Sequence, residues 1–216
     1  MKKLLGIMAI TALAASAFAQ GTVTIGNQTG LVKSWTTSTD HTLMSVPKGG
    51  GMVELIAAPK GTSLTPLFTV DATGAGTMHY GTLSAFLAAN TGWAVPSGAN
   101  NPGPIGLGPG VFANGNATIN NIGAGASADY ILLGWTGSAT TVDGAIAAWN
   151  GQTAMFGESA IATTTTADPT ATPAGLPVNL KGTFPGMTLI GSVPEPSTFA
   201  LAGLGAAAML ILRRRK

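Results

Sequence analysis

Few side chains in this sequence are equipped for bond-making chemistry. Cysteine is absent, which excludes thiolate nucleophiles, disulfides, Cys-ligated zinc and iron–sulfur clusters. The histidines are His41 and His79. Asp40 directly precedes His41, but no G-x-S-x-G elbow presents a nucleophile to such a pair, and a solvated Thr/Ser-rich loop accounts for this stretch. His79 and Asp71 have no recognised metal-ligand spacing, and the aspartates are scattered singly rather than set in a calcium loop. Between residues 20 and 192 the glutamates are Glu54 and Glu158. Glycoside hydrolysis would need two such carboxyls about 5–9 Å apart. Strand alternation sets Glu54 opposite Val53 and Leu55, which points it toward solvent. No catalytic residue, cofactor site or metal ligand is assigned, and the chain is read as a non-enzyme.

The tryptophans Trp35, Trp93, Trp135 and Trp149 allow a binding function instead. Flat aromatic faces suit sugar rings, although core packing is their commoner fate. Trp93 and Trp149 lie beside polar segments and are the candidates for sugar stacking. Residues 163–166 are consecutive threonines followed by Pro169, Thr170, Thr172 and Pro173. That composition fits a flexible, O-glycosylated stalk, or more plainly a disordered loop. Asn27 and Asn116 each open an N-x-T sequon.

Composition narrows the class of body that positions these residues. Charged residues make up 8% of the 216, well below the roughly 25% of an ordinary globular protein. The net charge of +2 misleads about the middle of the chain. Leader and tail hold six of the ten cations and one of the eight acids, so residues 20–192 carry −3. A clustered basic footprint for nucleic acid is therefore missing.

Short alternating runs with Gly and Pro punctuation predict a single all-β, sandwich-like domain with long loops over 20–192. Strands are expected at 21–25, 31–35, 52–57, 64–70, 116–120, 129–135, 178–184 and 187–190, with 160–166 also β-favouring. The 129–135 run is the strongest and reads as central. The strands at 52–57 and 64–70 flank a hairpin turn at 59–61. Residues 96–115, with their prolines and glycines, read as a long surface loop. Two short helices are expected, one at 82–90 with Thr82 as N-cap and one at 142–149.

The two ends carry different signals. Lys2 and Lys3 precede an apolar run at 4–15, and Ala17-Phe18-Ala19 supplies an A-x-A site, so the mature chain starts at Gln20. This is the three-part secretory leader, cut by signal peptidase after passage through the Sec translocon. At the other end Pro194-Glu195-Pro196 is stiff and extended, because both prolines fix φ. Residues 197–212 are uncharged and mostly apolar, and as a helix they would reach roughly 24 Å, close to a hydrocarbon core. Arg213, Arg214, Arg215 and Lys216 then form a cationic stop that stays cytoplasmic. A G-x-G-x-x-A match at 203–208 lies inside that segment, without the preceding strand a dinucleotide site requires.

This ordered ending resembles the PEP-CTERM sorting tail of Gram-negative bacteria through Pro194, Glu195, Pro196, the apolar 197–212 segment and the arginines. The resemblance implies a substrate of an exosortase, a membrane cysteine transpeptidase that cuts near the tripeptide, and association with exopolysaccharide. The middle is also similar to an uncharacterised domain of PEP-tailed exported proteins from Verrucomicrobia-like bacteria, at 21–28, 53–67, 130–137 and 156–164. That likeness implies a β-sandwich and no particular chemistry.

The expectation is therefore an exported structural protein. Its signal peptide is 1–19, its domain 20–192 and its sorting tail 193–216. It is held in the inner membrane by the 197–212 helix, then passed to the cell surface or the extracellular matrix. A carbohydrate-binding module is the alternative, and an extracellular hydrolase stands further behind.

Overall fold

The longest strand pair forms where the sequence is most apolar. In the computed structural model, which describes residues 20–27, 31–37, 40–98, 100–192 and Leu204, β4 (Gly51–Pro59) runs antiparallel to β10 (Ser127–Thr136). The pairing is continuous from Gly51↔Thr136 to Pro59↔Ala128. The expected centrality of 129–135 is met, because β10 is also paired along its other edge. There β11 (Met155–Glu158) takes the second half and β12 (Ala162–Thr165) the first. Between them Ser159 Oγ accepts from Leu132 N–H at 2.9 Å, so a side chain supplies the ladder bond that the break would lose.

The remaining strands complete two sheets and a hairpin. They are β1 (Gln20–Gly26), β2 (Val32–Trp35), β3 (Leu43–Ser45), β5 (Phe68–Val70), β6 (Gly76–Met78), β7 (Ser97–Gly98), β8 (Gly103–Pro104), β9 (Ala113–Gly123), β13 (Val178–Asn179) and β14 (Met187–Gly191). The larger sheet has the order β3-β2-β14-β11-β10-β4-β8, with β12 beside β10. The smaller has the order β13-β1-β9-β7, and β5 and β6 form the hairpin.

Strand alternation divides the larger sheet's side chains between two cores. Val53, Leu55 and Ala57 of β4, with Ala128, Tyr130 and Leu132 of β10, meet Val23, Ile25, Ala117 and Ile119 of the smaller sheet. Ile56, Ala58, Ile131, Leu133 and Trp135 lie on the opposite face. That face packs against Phe86 of helix α1 (Leu83–Ala89), Val142, Ala145, Ile146 and Trp149 of helix α2 (Val142–Asn150), and Phe68 of the hairpin. A sheet covered on both sides needs apolar residues in both registers, which is why β4 reads as a nearly unbroken apolar run.

Both helices start where the sequence places them. Thr82 Oγ1 accepts from Ala85 N–H at 3.1 Å, and Thr141 Oγ1 from Gly144 N–H at 3.2 Å, each satisfying a first-turn donor that has no partner inside the helix. Asp143 Oδ1 accepts from Leu83 N–H at 2.7 Å and ties the two helix starts together.

Several expectations are corrected. The segment at 52–57 does not form a hairpin with 64–70; β4 pairs with β10 and β8, and only 68–70 is strand, paired with β6. Residues 96–115 are not simply a surface loop: they contribute β7 and β8, and Ile105 and Phe112 are fully buried. Asn101 lies in the same stretch and mimics a strand, its side-chain amide donating to Leu55 O and accepting from Leu55 N–H. Of 178–184 only 178–179 is strand. The threonine run is neither stalk nor disordered loop, since Thr163, Thr164 and Thr165 pair with β10 and Thr166 is buried.

Candidate functional site

The point where the chain leaves the folded body is built by β14. This last strand is not at an edge: it lies between β2, its parallel partner over Met187–Leu189, and β11, its antiparallel partner at Ile190 and Gly191. Trp149 Nε1 donates to Ile190 O at 3.0 Å, so helix α2 also holds the strand's final turn of chain. Ser192 follows immediately, and Pro194 is three residues beyond Gly191.

At the other terminus Gln20 is the first residue of β1. The remaining sorting and cleavage residues lie outside the described residues: Ala17, Ala19, Pro194, Glu195, Pro196, Arg213, Arg214, Arg215 and Lys216. So does the 197–212 segment apart from Leu204. Among the described residues, no helix is long and apolar enough to cross a membrane.

The exposed sugar-stacking platform is overturned. Trp93 is 4% exposed and Trp149 6%, while Trp35 is 6% and Trp135 0%. The indole N–H groups of Trp93, Trp135 and Trp149 are each committed to a backbone carbonyl, of Ser63, Ala139 and Ile190 respectively. Trp149 packs edge-on against Phe68, their ring centroids 5.5 Å apart, and Trp135 stacks on Phe156 at 6.4 Å. Trp35 is covered by the His41 ring, 3.7 Å away and 11° from parallel. These aromatic faces are spent on packing the outer core.

Glu54 is likewise not solvent-facing. It is 4% exposed, on the helix-covered face of β4. Burial pushes its carboxyl up to about 7, with a further contribution from the nearby Asp143 carboxylate. Glu158 is raised to about 7 as well, chiefly by burial, although Leu67 N–H and Phe68 N–H both donate to its Oε2 and pull the other way. Glu54 and Glu158 are both register partners of Leu133, one on each side. With strands about 4.8 Å apart, their Cα atoms are roughly 10 Å apart on one face.

A groove of about 430 Å³ is lined by Leu31, Lys33, Leu43, Glu158, Pro185, Gly186, Met187 and Thr188, and it takes in Glu158 without Glu54. Glu54 lies under the helical layer on the same face of the sheet.

The other candidates do structural work. Asp71 Oδ1 accepts from Thr73 N–H, Thr73 Oγ1 and Ala75 N–H, and Asp168 Oδ1 accepts from Thr170 N–H and Oγ1. Side-chain and backbone donors therefore hold both carboxyls below the usual range. His79 Nε2 is 2.8 Å from Thr69 Oγ1 across the hairpin. No group of three His, Asp or Glu side chains among the described residues is placed to hold a metal ion. Asn27 is buried, with its amide against Gly110 O and Phe112 N–H, so that sequon is closed to modification in the fold.

The comparisons fall on the tail. Residues 192–216 match the PEP-CTERM protein-sorting motif. No curated protein and no solved structure matches the chain. The motif supports an exported protein sorted by an exosortase, and the match begins one residue after β14 ends.

Proposed function

We propose that this chain is a non-enzymatic, exported cell-surface or matrix protein. Its sandwich-like body is the cargo, and its tail is the address. The Sec translocon and signal peptidase deliver it across the inner membrane, where the 197–212 helix retains it. An exosortase then cuts near Pro194-Glu195-Pro196 and passes the body to the surface, in a setting rich in exopolysaccharide. The sorting-motif match at 192–216 carries this reading. Two features of the body support the non-enzymatic part: the groove of about 430 Å³ that takes in Glu158 does not take in the buried Glu54, and the tryptophan faces are covered.

The test is the intact mass of the protein in membrane and secreted fractions. The native chain should appear in the secreted fraction shortened at both ends. Replacing Pro194, Glu195 and Pro196 together with alanine should leave a chain of full C-terminal mass in the membrane fraction. If the triple variant is shortened as the native chain is, exosortase handling is rejected.

A further inference from the structure

Resting on the exosortase reading, we infer that one particular end of the larger sheet docks against the processing transpeptidase. This is the end carrying residues 36–37 and 40–42 and the loops 47–50, 136–141 and 151–154. Register assigns these loops to one end. β14 is parallel to β2, so the chain after Trp35 and the chain after Gly191 emerge together. Met155 is the partner of Gly191, which brings the 151–154 loop there. Trp135 pairs with Phe156 and Thr136 with Gly51, which adds the 136–141 and 47–50 loops.

Tether length makes this end face the enzyme. The last laddered residue is Gly191, and the tripeptide starts at Pro194. Three residues span at most about 11 Å whatever their conformation. A body of this size has a radius of gyration of about 16 Å. The tether is shorter than that radius, so the body cannot turn another face toward an enzyme that holds the tripeptide. Nor does the fold offer slack: β14 is paired on both sides, and its Ile190 carbonyl is held by Trp149. Lengthening the tether would require stripping an interior strand out of the sheet.

The surface itself suits a close approach. Its loops are held by their own bonds: Thr36 N–H to Thr42 O, Gly137 N–H to Gly50 O, and Thr153 Oγ1–H to Ala148 O. Their charged residues are Asp40 and Lys48, and the rest is chiefly threonine, serine and glycine. Such a hydroxyl-rich, nearly neutral rim can meet a protein surface with little cost for stripping water from ions.

The absence of native cysteine makes the test clean. Ser138→Cys and Thr140→Cys place a thiol on exposed positions of the rim. Lys60→Cys and Ala126→Cys place one at the far end of β4 and β10, about 30 Å away by strand length. Each full-length variant, checked for an unchanged melting temperature, is labelled with a short thiol-linked photocrosslinker in membranes of the producing cell. The rim positions should give an adduct with the transpeptidase, identified by mass spectrometry, at several-fold the yield of the far positions. A second variant carries a Gly/Ser spacer of about a dozen residues after Ser192, reaching roughly 20 Å. It should still be processed, with the rim adduct reduced to the far-end level.

Equal yields from both ends, or normal processing with no rim adduct, overturn the docking inference and leave the sorting reading standing. Absence of C-terminal shortening in the native chain overturns the sorting reading, and the docking inference falls with it.

Discussion

Glu54 and Glu158 stand in one row on either side of Leu133, on the two strands that flank β10 and on the same face of the sheet. Both carboxyls are pushed up to about 7 by burial. The pair resembles an acid–base couple in type and spacing, yet each member is held for a different reason. Glu158 receives two amides at the start of β5 and thereby fixes the hairpin over the sheet. Glu54 is governed by burial, with the repulsive Asp143 carboxylate adding to it, so its neutral form suits its surroundings better.

The first prediction concerns pH. Glu54 has an ordinary value of 4.5 in the open chain and about 7 in the fold. Between those values the unfolded chain releases the proton while the folded chain keeps it, so stability falls as pH rises from 4.5 to 7 and levels off above. The loss for Glu54 is of order 3 kcal/mol, at 1.36 kcal/mol per pH unit between those two values. Glu158, raised to about 7 as well, adds a slope of the same sign, so Glu54→Gln should roughly halve the combined slope and make the protein more stable than the native chain at pH 8. Chemical denaturation at pH 5 and pH 8 measures it. An unchanged slope would show that Glu54 is hydrated in the folded state.

A second prediction concerns the anchor of the last strand. Trp149→Phe keeps an aromatic ring beside Phe68 but removes the donor to Ile190 O. A buried carbonyl is left without its partner and part of the ring volume is lost, which should cost about 2–3 kcal/mol. Hydrogen exchange at β14 amides should accelerate more than at β1. Uniform acceleration, or no loss of stability, would mean that β14 does not depend on this bond.

The third prediction uses close backbone approach. A Cβ on Gly157 would lie 2.3 Å from the Thr188 carbonyl oxygen, whereas one on Gly134 would meet the flexible end of Met187 at the same distance. Gly157→Ala must therefore shift the β14 backbone, at a cost of about 3 kcal/mol, while the Met187 side chain can rotate away in Gly134→Ala at a smaller cost. Thermal unfolding of the two variants gives the order. A reversal would mean that β14 is free to move at Thr188 and is held more tightly at Met187.

Local sequence determined those features that depend on near neighbours. The apolar run at 129–135 gave the central strand, Thr82 gave its helix start, and the ordered tripeptide, apolar run and cations at the tail gave the sorting motif. Other features were decided only when distant segments packed. Alternation correctly put Glu54 opposite Val53 and Leu55, but nothing near Glu54 in the chain announces that α1, α2 and the β5–β6 hairpin cover its face. The near-continuous apolar character of β4 was the available signal that both faces are buried. The same outer layer covers Trp93 and Trp149, whose polar sequence neighbours suggested exposure. The interior position of β14, and with it the end of the sheet from which the tail departs, follows from pairing with β2, more than 150 residues earlier in the chain. Periodicity along a chain records whether a side chain alternates or not; which segment arrives to cover each face is fixed by the free energy of burying both apolar faces together.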